Sequence, residues 1–201
     1  KQVFMGLPSQ SVLNLDGPQT LSAVKKALGQ TNLGVREVLS AARIYYVNPS
    51  TGSNSNNGLS PSTPFLTIQK AADVCQTLDF AGNAVYIQLA NGTYTGTVTF
   101  SVPTLGGTIT VQGDNTTPSN VVLDGGAGYP FVVSNHGTVV NVTGVKVKST
   151  GASGFAANNG GRLYIIGRVE WGQCAVCMSV DGGFITNFAN AAGAGPHCWI
   201  T

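Results

Sequence analysis

Five segments decide the fold when they are set beneath one another: Val85-Tyr-Ile-Gln-Leu, Thr108-Ile-Thr-Val-Gln, Thr138-Val-Val-Asn-Val, Arg162-Leu-Tyr-Ile-Ile and Phe184-Ile-Thr-Asn-Phe. Their starts step by 23, 30, 24 and 22 residues. Three of them follow one kind of tight turn, Asn135-His-Gly137, Asn159-Gly-Gly161 and Asp181-Gly-Gly183, where Gly supplies the positive φ of a sharp corner. Two more short strands fit inside each repeat. Val121-Val-Leu123, Val145-Lys-Val147 and Val169-Glu-Trp171 form a second face; Phe131-Val-Val133, Phe155-Ala-Ala157 and Cys177-Met-Ser179 form a third. Three short strands in so short a period imply an all-β fold, a right-handed parallel β-helix whose rungs lie ~4.8 Å apart. The longer step carries its excess in Asp114-Asn-Thr-Thr-Pro-Ser-Asn120, a loop expected to project at a corner.

The register makes contact predictions. Phe131, Phe155 and Cys177 should stack inward, with Trp199 next in line. Val122, Lys146 and Glu170 should share an outward column, making Lys146 and Glu170 an ion pair between neighbouring rungs. Competing repeat folds fit poorly. The Leu-x-x-Leu-x-Leu pattern of leucine-rich repeats is missing, a propeller blade needs about 40 residues or more, and a sandwich shows no constant period.

Composition agrees. Of 201 residues only 9% are charged, 42% are hydrophobic and 27 are Gly. That disfavours both a helical bundle and disorder. A net charge of +2, with no basic cluster beyond Lys25-Lys26, makes nucleic acid a poor partner. No apolar run reaches the ~18 residues of a membrane span. The cysteines are Cys75, Cys174, Cys177 and Cys198; the single CxxC lacks a second pair or a His cluster at zinc spacing, so no metal and no cofactor is expected, and the thiols read as free groups in a β-core.

Ahead of the repeats the chain divides in two. Residues 1–42 read as an attachment arm with short helices at 17–29 and 34–42. Residues 43–80 read as a capping unit: the strand Arg43-Ile-Tyr-Tyr-Val47, a polar turn-rich loop to Gly58, and an amphipathic helix over 65–79 using Leu66, Ala71, Val74, Cys75 and Leu78. Such a helix would cover the open end of the rungs, which occupy 81–201. The last residues, His197-Cys-Trp-Ile-Thr201, match the third strand of a repeat, so the chain is expected to be a piece of a longer protein.

Arg36-Glu-Val-Leu-Ser-Ala-Ala-Arg-Ile-Tyr-Tyr-Val47, then Gly52-Ser-Asn-Ser-Asn-Asn-Gly-Leu-Ser60, then Pro64-Phe-Leu-Thr-Ile-Gln-Lys-Ala-Ala-Asp-Val74 resembles the opening of pectate-lyase-like β-helix domains in phage and prophage tail spikes and tail fibres. The resemblance covers about a fifth of the chain directly. It implies a virion tail module, assembled in the host cytoplasm as a homotrimer, that joins other tail proteins through residues 1–42 and binds bacterial surface polysaccharide. Two alternatives stay open: the N-terminal part of a polysaccharide depolymerase, hydrolase or lyase, and a bacterial surface adhesin. Relatives often carry Asp in the polar loop where this chain has Asn54, Asn56 and Asn57, which weakens a calcium proposal.

Of the eight acids, only Asp124 and Glu170 fall on one face, in neighbouring columns two rungs apart, roughly 10 Å by rung spacing. They are the candidates for a catalytic pair, although Asp124 and Asp181 also suit turns before Gly-Gly, and no catalytic centre is expected in these residues. Tyr94, Tyr129 and Tyr164 are candidate platforms for sugar rings, with packing at rung corners as the structural alternative.

Overall fold

The structure, a computed structural model, describes residues 36–187 apart from 102 and 105. The helix expected at 17–29, Trp199 and the strand at 197–201 lie outside them. The described chain is mostly strand, with little helix. In order the elements are β1 (Glu37–Val38), β2 (Arg43–Val47), α1 (Ile68–Cys75), β3 (Leu78–Asp79), β4 (Ala84–Leu89), β5 (Gly92–Thr95), β6 (Val98–Phe100), β7 (Thr108–Gln112), a 3₁₀ turn (Pro118–Asn120), β8 (Val121–Asp124), β9 (Phe131–Ser134), β10 (Val139–Thr143), β11 (Val145–Lys148), β12 (Ser153–Asn158), β13 (Arg162–Ile165), β14 (Val169–Trp171), β15 (Val176–Asp181) and β16 (Phe184–Asn187).

Apart from β1 and β3, which pair with each other, these strands build three parallel sheets. A six-stranded sheet runs β2-β4-β7-β10-β13-β16, and two four-stranded sheets run β5-β8-β11-β14 and β6-β9-β12-β15. The chain visits the three in rotation, and each strand pairs with its counterpart one repeat earlier. Alternation decides which side chains point inward. In the six-stranded sheet Val85, Ile109, Val140 and Leu163 occupy one register position and Ile87, Val111, Val142 and Ile165 another, and all eight are buried. Residues from all three sheets belong to one buried cluster.

Three alignments made from the sequence in this sheet are off by one residue. Val85 pairs with Ile109, not Thr108; Ile109 pairs with Val140, not Val139; and Arg162 pairs with Val139, not Thr138. A slip of one would turn Ile109 and Val111 to solvent, and burial of both excludes it. In the third sheet Phe155 pairs with Phe131 as expected, but on its other side it pairs with Met178 and not Cys177. Cys177 lies instead beside Gly154, where an added Cβ would stand 3.0 Å from the Cys177 carbonyl oxygen and from the Trp171 ring. Trp171 continues the ring contacts: centroids of Phe100–Phe131, Phe131–Phe155 and Phe155–Trp171 are 5.2, 5.5 and 5.4 Å apart. The corners use Asn as well as Gly. Asn135 (φ 75°) and Asn159 (φ 51°) take the left-handed conformation alongside Gly137 and Gly160.

The N-terminal side differs more. Where a helix was expected over 34–42, Glu37–Val38 pairs in parallel with Leu78–Asp79. The Leu39 amide donates to the Asp79 carbonyl at 2.8 Å and Leu39 is buried. A segment this short gains little as a helix by itself, and burying Leu39 outweighs that preference. Helix α1 is shorter than the 65–79 expected. Phe65 is held in a bridge to Val47, the Thr67 hydroxyl caps the helix by accepting from the Lys70 amide, and Leu78 has left for β3. The buried face is Ile68, Ala71, Ala72 and Cys75, while Leu66 stays exposed.

Two devices cover strand edges. The Tyr46 amide donates to the Gly58 carbonyl, and the Tyr46 carbonyl accepts from the Phe65 amide at 2.9 Å, so the loop lies along β2. On β6, the first strand of the third sheet, Gln69 of α1 acts as a surrogate strand. Its Oε1 accepts from the Thr99 amide at 2.8 Å, and its Nε2 donates to the Thr99 carbonyl at 3.3 Å. The loop's asparagines are structural: Asn48 and Asn54 each accept from two backbone amides, and the Asn56 amide donates to the Pro64 carbonyl. Among the described residues no helix is long and apolar enough to cross a membrane.

Candidate functional site

The two carboxylates singled out from the sequence lie on the outer side of the sheet β5-β8-β11-β14. Asp124 pairs in register with Lys148, and Glu170 with Lys146, so β11 separates them. Two strand spacings and a two-residue offset put them about 12 Å apart at the backbone, wider than either glycosidase arrangement. Lys148 Nζ stands 2.8 Å from Asp124 Oδ2, and the Gly126 amide donates to Oδ1 at 3.0 Å. These bonds, the lysine's first, hold the Asp124 carboxyl below the usual carboxylate range. A general acid needs the opposite displacement. The expected Lys146–Glu170 ion pair is not formed although the two are register neighbours; the ion pair falls one column over, at Lys148–Asp124, because Asp124 is fixed at the corner by Gly126.

The three tyrosines separate. Tyr94 is only 7% exposed, and its hydroxyl donates to the Val47 and Ala90 carbonyls at 3.0 and 2.9 Å. Burial pushes its phenol well up. It is a packing residue and offers no platform. Tyr129 is 40% exposed beside the Gly125–Gly128 turn. Tyr164 is half-buried on the outside of β13, edge-on to Phe184 with ring centroids 6.1 Å apart.

Tyr164 belongs to a surface that reading the strands as core had passed over. On the outer face of the six-stranded sheet, Ile44, Tyr86, Thr110, Asn141, Tyr164 and Thr186 occupy one register column. Gln88, Gln112 and Thr143 stand in the next. Between them runs a groove of about 460 Å³, bordered by Tyr86, which is 37% exposed, and by Ile166. Its floor is amide and hydroxyl. Asn141 Nδ2 donates to Thr110 Oγ1 at 3.3 Å, and the Gln88 amide donates to the Gln112 carbonyl.

The loop carried by the long repeat makes one wall. Asp114 accepts from the Thr116 and Thr117 amides and from Asn120, the Thr143 hydroxyl donates to Asn115 Oδ1, and Arg168 Nη1 donates to the Thr116 carbonyl at 2.7 Å. Gly167 allows the close approach, because a Cβ there would collide with the Thr143 hydroxyl. The loop therefore lies fastened against the following repeats and lines the groove through Asn115. The signal was present in the sequence: the outward positions Thr108, Thr110, Gln112, Asn141 and Thr143 carry uncharged hydrogen-bonding groups.

Among the described residues no three His, Cys, Asp or Glu side chains gather as a metal site. Cys75 and Cys174 are free thiols. Cys177 is disulfide-bonded, which corrects its reading as a free thiol; since Cys174 is free, the CxxC is not the bonded pair. The chain matches no protein-family model and no curated protein sequence.

Proposed function

We propose that this chain is a right-handed parallel β-helix module of a homotrimeric phage tail spike or tail fibre, with α1 covering its first rung. It binds polysaccharide of the bacterial surface through the outer face of the six-stranded sheet. The rotation of the chain among three parallel sheets supports the β-helix, and parallel crossovers are right-handed in ~98% of cases. The observation that carries the binding reading is the groove between Tyr86 and the fastened Asn115 loop. Uncharged amides and hydroxyls match the alternating donors and acceptors of sugar hydroxyls, and an aromatic face at the border suits the apolar side of a pyranose ring. The tail assignment rests on the likeness of residues 36–74, and residues 1–42 would join it to other tail proteins.

The test is retention of the protein on an array of purified capsular polysaccharides and lipopolysaccharide O-chains. Wild type retains on one or a few, and Tyr86→Ala weakens retention about fivefold or more, as expected for ~1 kcal/mol of lost stacking. Oligosaccharide release from a retained polymer would favour the depolymerase, with its catalytic groups outside residues 36–187. No retention on any member rejects the binding function. Tail genes beside the reading frame would exclude the adhesin.

A further inference from the structure

The binding face is not uniform along its length. The groove from β4 to β10 is lined by Tyr86, Thr110, Gln112, Asn115 and Asn141, and no lining residue is charged. At the β13–β16 end the face changes. Val139, Arg162 and Phe184 share one column, next to Asn141, Tyr164 and Thr186. There a hollow of about 440 Å³ is lined by His136, Arg162, Tyr164 and Phe184 over the glycine turns. The His136 ring lies on the corner glycine, since a Cβ at Gly160 would stand 2.5 Å from it. Phe184 is 50% exposed.

Arg162 is exposed, and among the described residues it is in neither an ion pair nor a side-chain hydrogen bond. The other arginines of this region have assigned work: Arg43 pairs with Glu37 at 2.6 Å, and Arg168 fastens the loop. No Asp or Glu stands in the outward columns of β4, β7, β10, β13 and β16; the acids of the repeats sit on the neighbouring sheet and at corners. An anion approaching Arg162 thus meets no fixed negative charge on its own sheet face.

Resting on the binding function above, we propose that Arg162 is the anchor for a carboxylated sugar residue, so that the glycan taken by this face is acidic, a polymer containing a hexuronate or similar residue. The guanidinium forks onto the carboxylate with two charge-assisted hydrogen bonds. The ring of that sugar lies toward Phe184, and the neutral residues of the chain run back along the groove toward Tyr86.

The experiment uses each polysaccharide that wild type retains, before and after its carboxyl groups are reduced to primary alcohols, with wild type, Arg162→Gln and Arg162→Lys. The retained polymers are expected to be carboxylated. Carboxyl reduction and Arg162→Gln each weaken binding about tenfold, the two losses do not add, and Arg162→Lys recovers only part because it keeps the charge but not the fork. An unchanged melting temperature for Arg162→Gln shows that the fold is intact. Retention of only neutral or only phosphate-bearing polymers, equal binding after carboxyl reduction, or wild-type affinity in Arg162→Gln overturns the anchor while leaving the binding function standing. If nothing on the array is retained, the function itself fails and the anchor with it.

Discussion

Gln69→Leu isolates the surrogate strand that α1 presents to β6. The substitution keeps side-chain size and is neutral for helix propensity, so α1 itself loses only the Gln69–Asp73 side-chain bond, worth about 0.2–0.5 kcal/mol. It removes an acceptor 2.8 Å from the Thr99 amide and a donor 3.3 Å from the Thr99 carbonyl. Each such bond is worth about 0.5–1.5 kcal/mol net, and the longer one falls at the weak end, so a loss of ~1–2 kcal/mol is expected. Gln69→Glu should be worse. It keeps an acceptor for Thr99 but loses the donor, and it sets a carboxylate where the Gln69 Nε2 now donates to Asp73 Oδ1 at 2.8 Å. Urea titration reads both variants, with the midpoint falling and the slope constant. An opened β6 edge also invites pairing with a second chain, so light scattering should report association of Gln69→Leu that wild type does not show. A Gln69→Leu protein with the wild-type midpoint and no association would refute the idea that this amide closes the sheet.

Other outcomes follow from the packing and the charges. Phe155→Ala removes the middle of the Phe131–Phe155–Trp171 contacts and should cost about 3–5 kcal/mol by denaturant midpoint. Thr138→Val should stabilise by ~1 kcal/mol, because the Thr138 hydroxyl is buried with no hydrogen-bond partner among the described residues and valine has the same shape. The carboxyls of Glu37, Asp114 and Asp124 are held low in the folded state, by Arg43, by the Thr117 amide and by Lys148 respectively. Their contribution is therefore present above the usual carboxylate range near pH ~4 and lost as pH falls through the lowered values; urea midpoints should drop between about pH 5 and 2, less steeply in Asp114→Asn. The Cys75 thiol is pushed up to about 12 by burial, so iodoacetamide at pH 8 should leave it unmodified until denaturant is added.

The period, the strand content and the corner turns were legible because each rests on local chemistry: β-branched strands, Asn-Gly and Gly-Gly corners, and a loop absorbing the long step. The one-residue errors arose where two readings matched equally well by spacing and only burial of Ile109, Val111 and Val142 decided between them. Phe155 and Cys177 were misaligned for a different reason: Cys177 stands beside Gly154, and Trp171, on another sheet, fills the place that a side chain at 154 would take. Glu37–Val38 found its partner about forty residues away, which no local propensity encodes. For the site, the sequence pointed to acids and tyrosines as residue types. Tyr94 lost its role to burial and Asp124 to Lys148, while the groove was missed because its members become neighbours only through register.

The register of the outward column is tested most directly by a pair of spin labels at Ile44 and Thr186. Five strand spacings separate them, through Tyr86, Thr110, Asn141 and Tyr164, so the distance distribution should centre near ~24 Å with narrow width. A broad distribution, or one centred beyond ~40 Å, would contradict the alignment of these strands and with it the binding face.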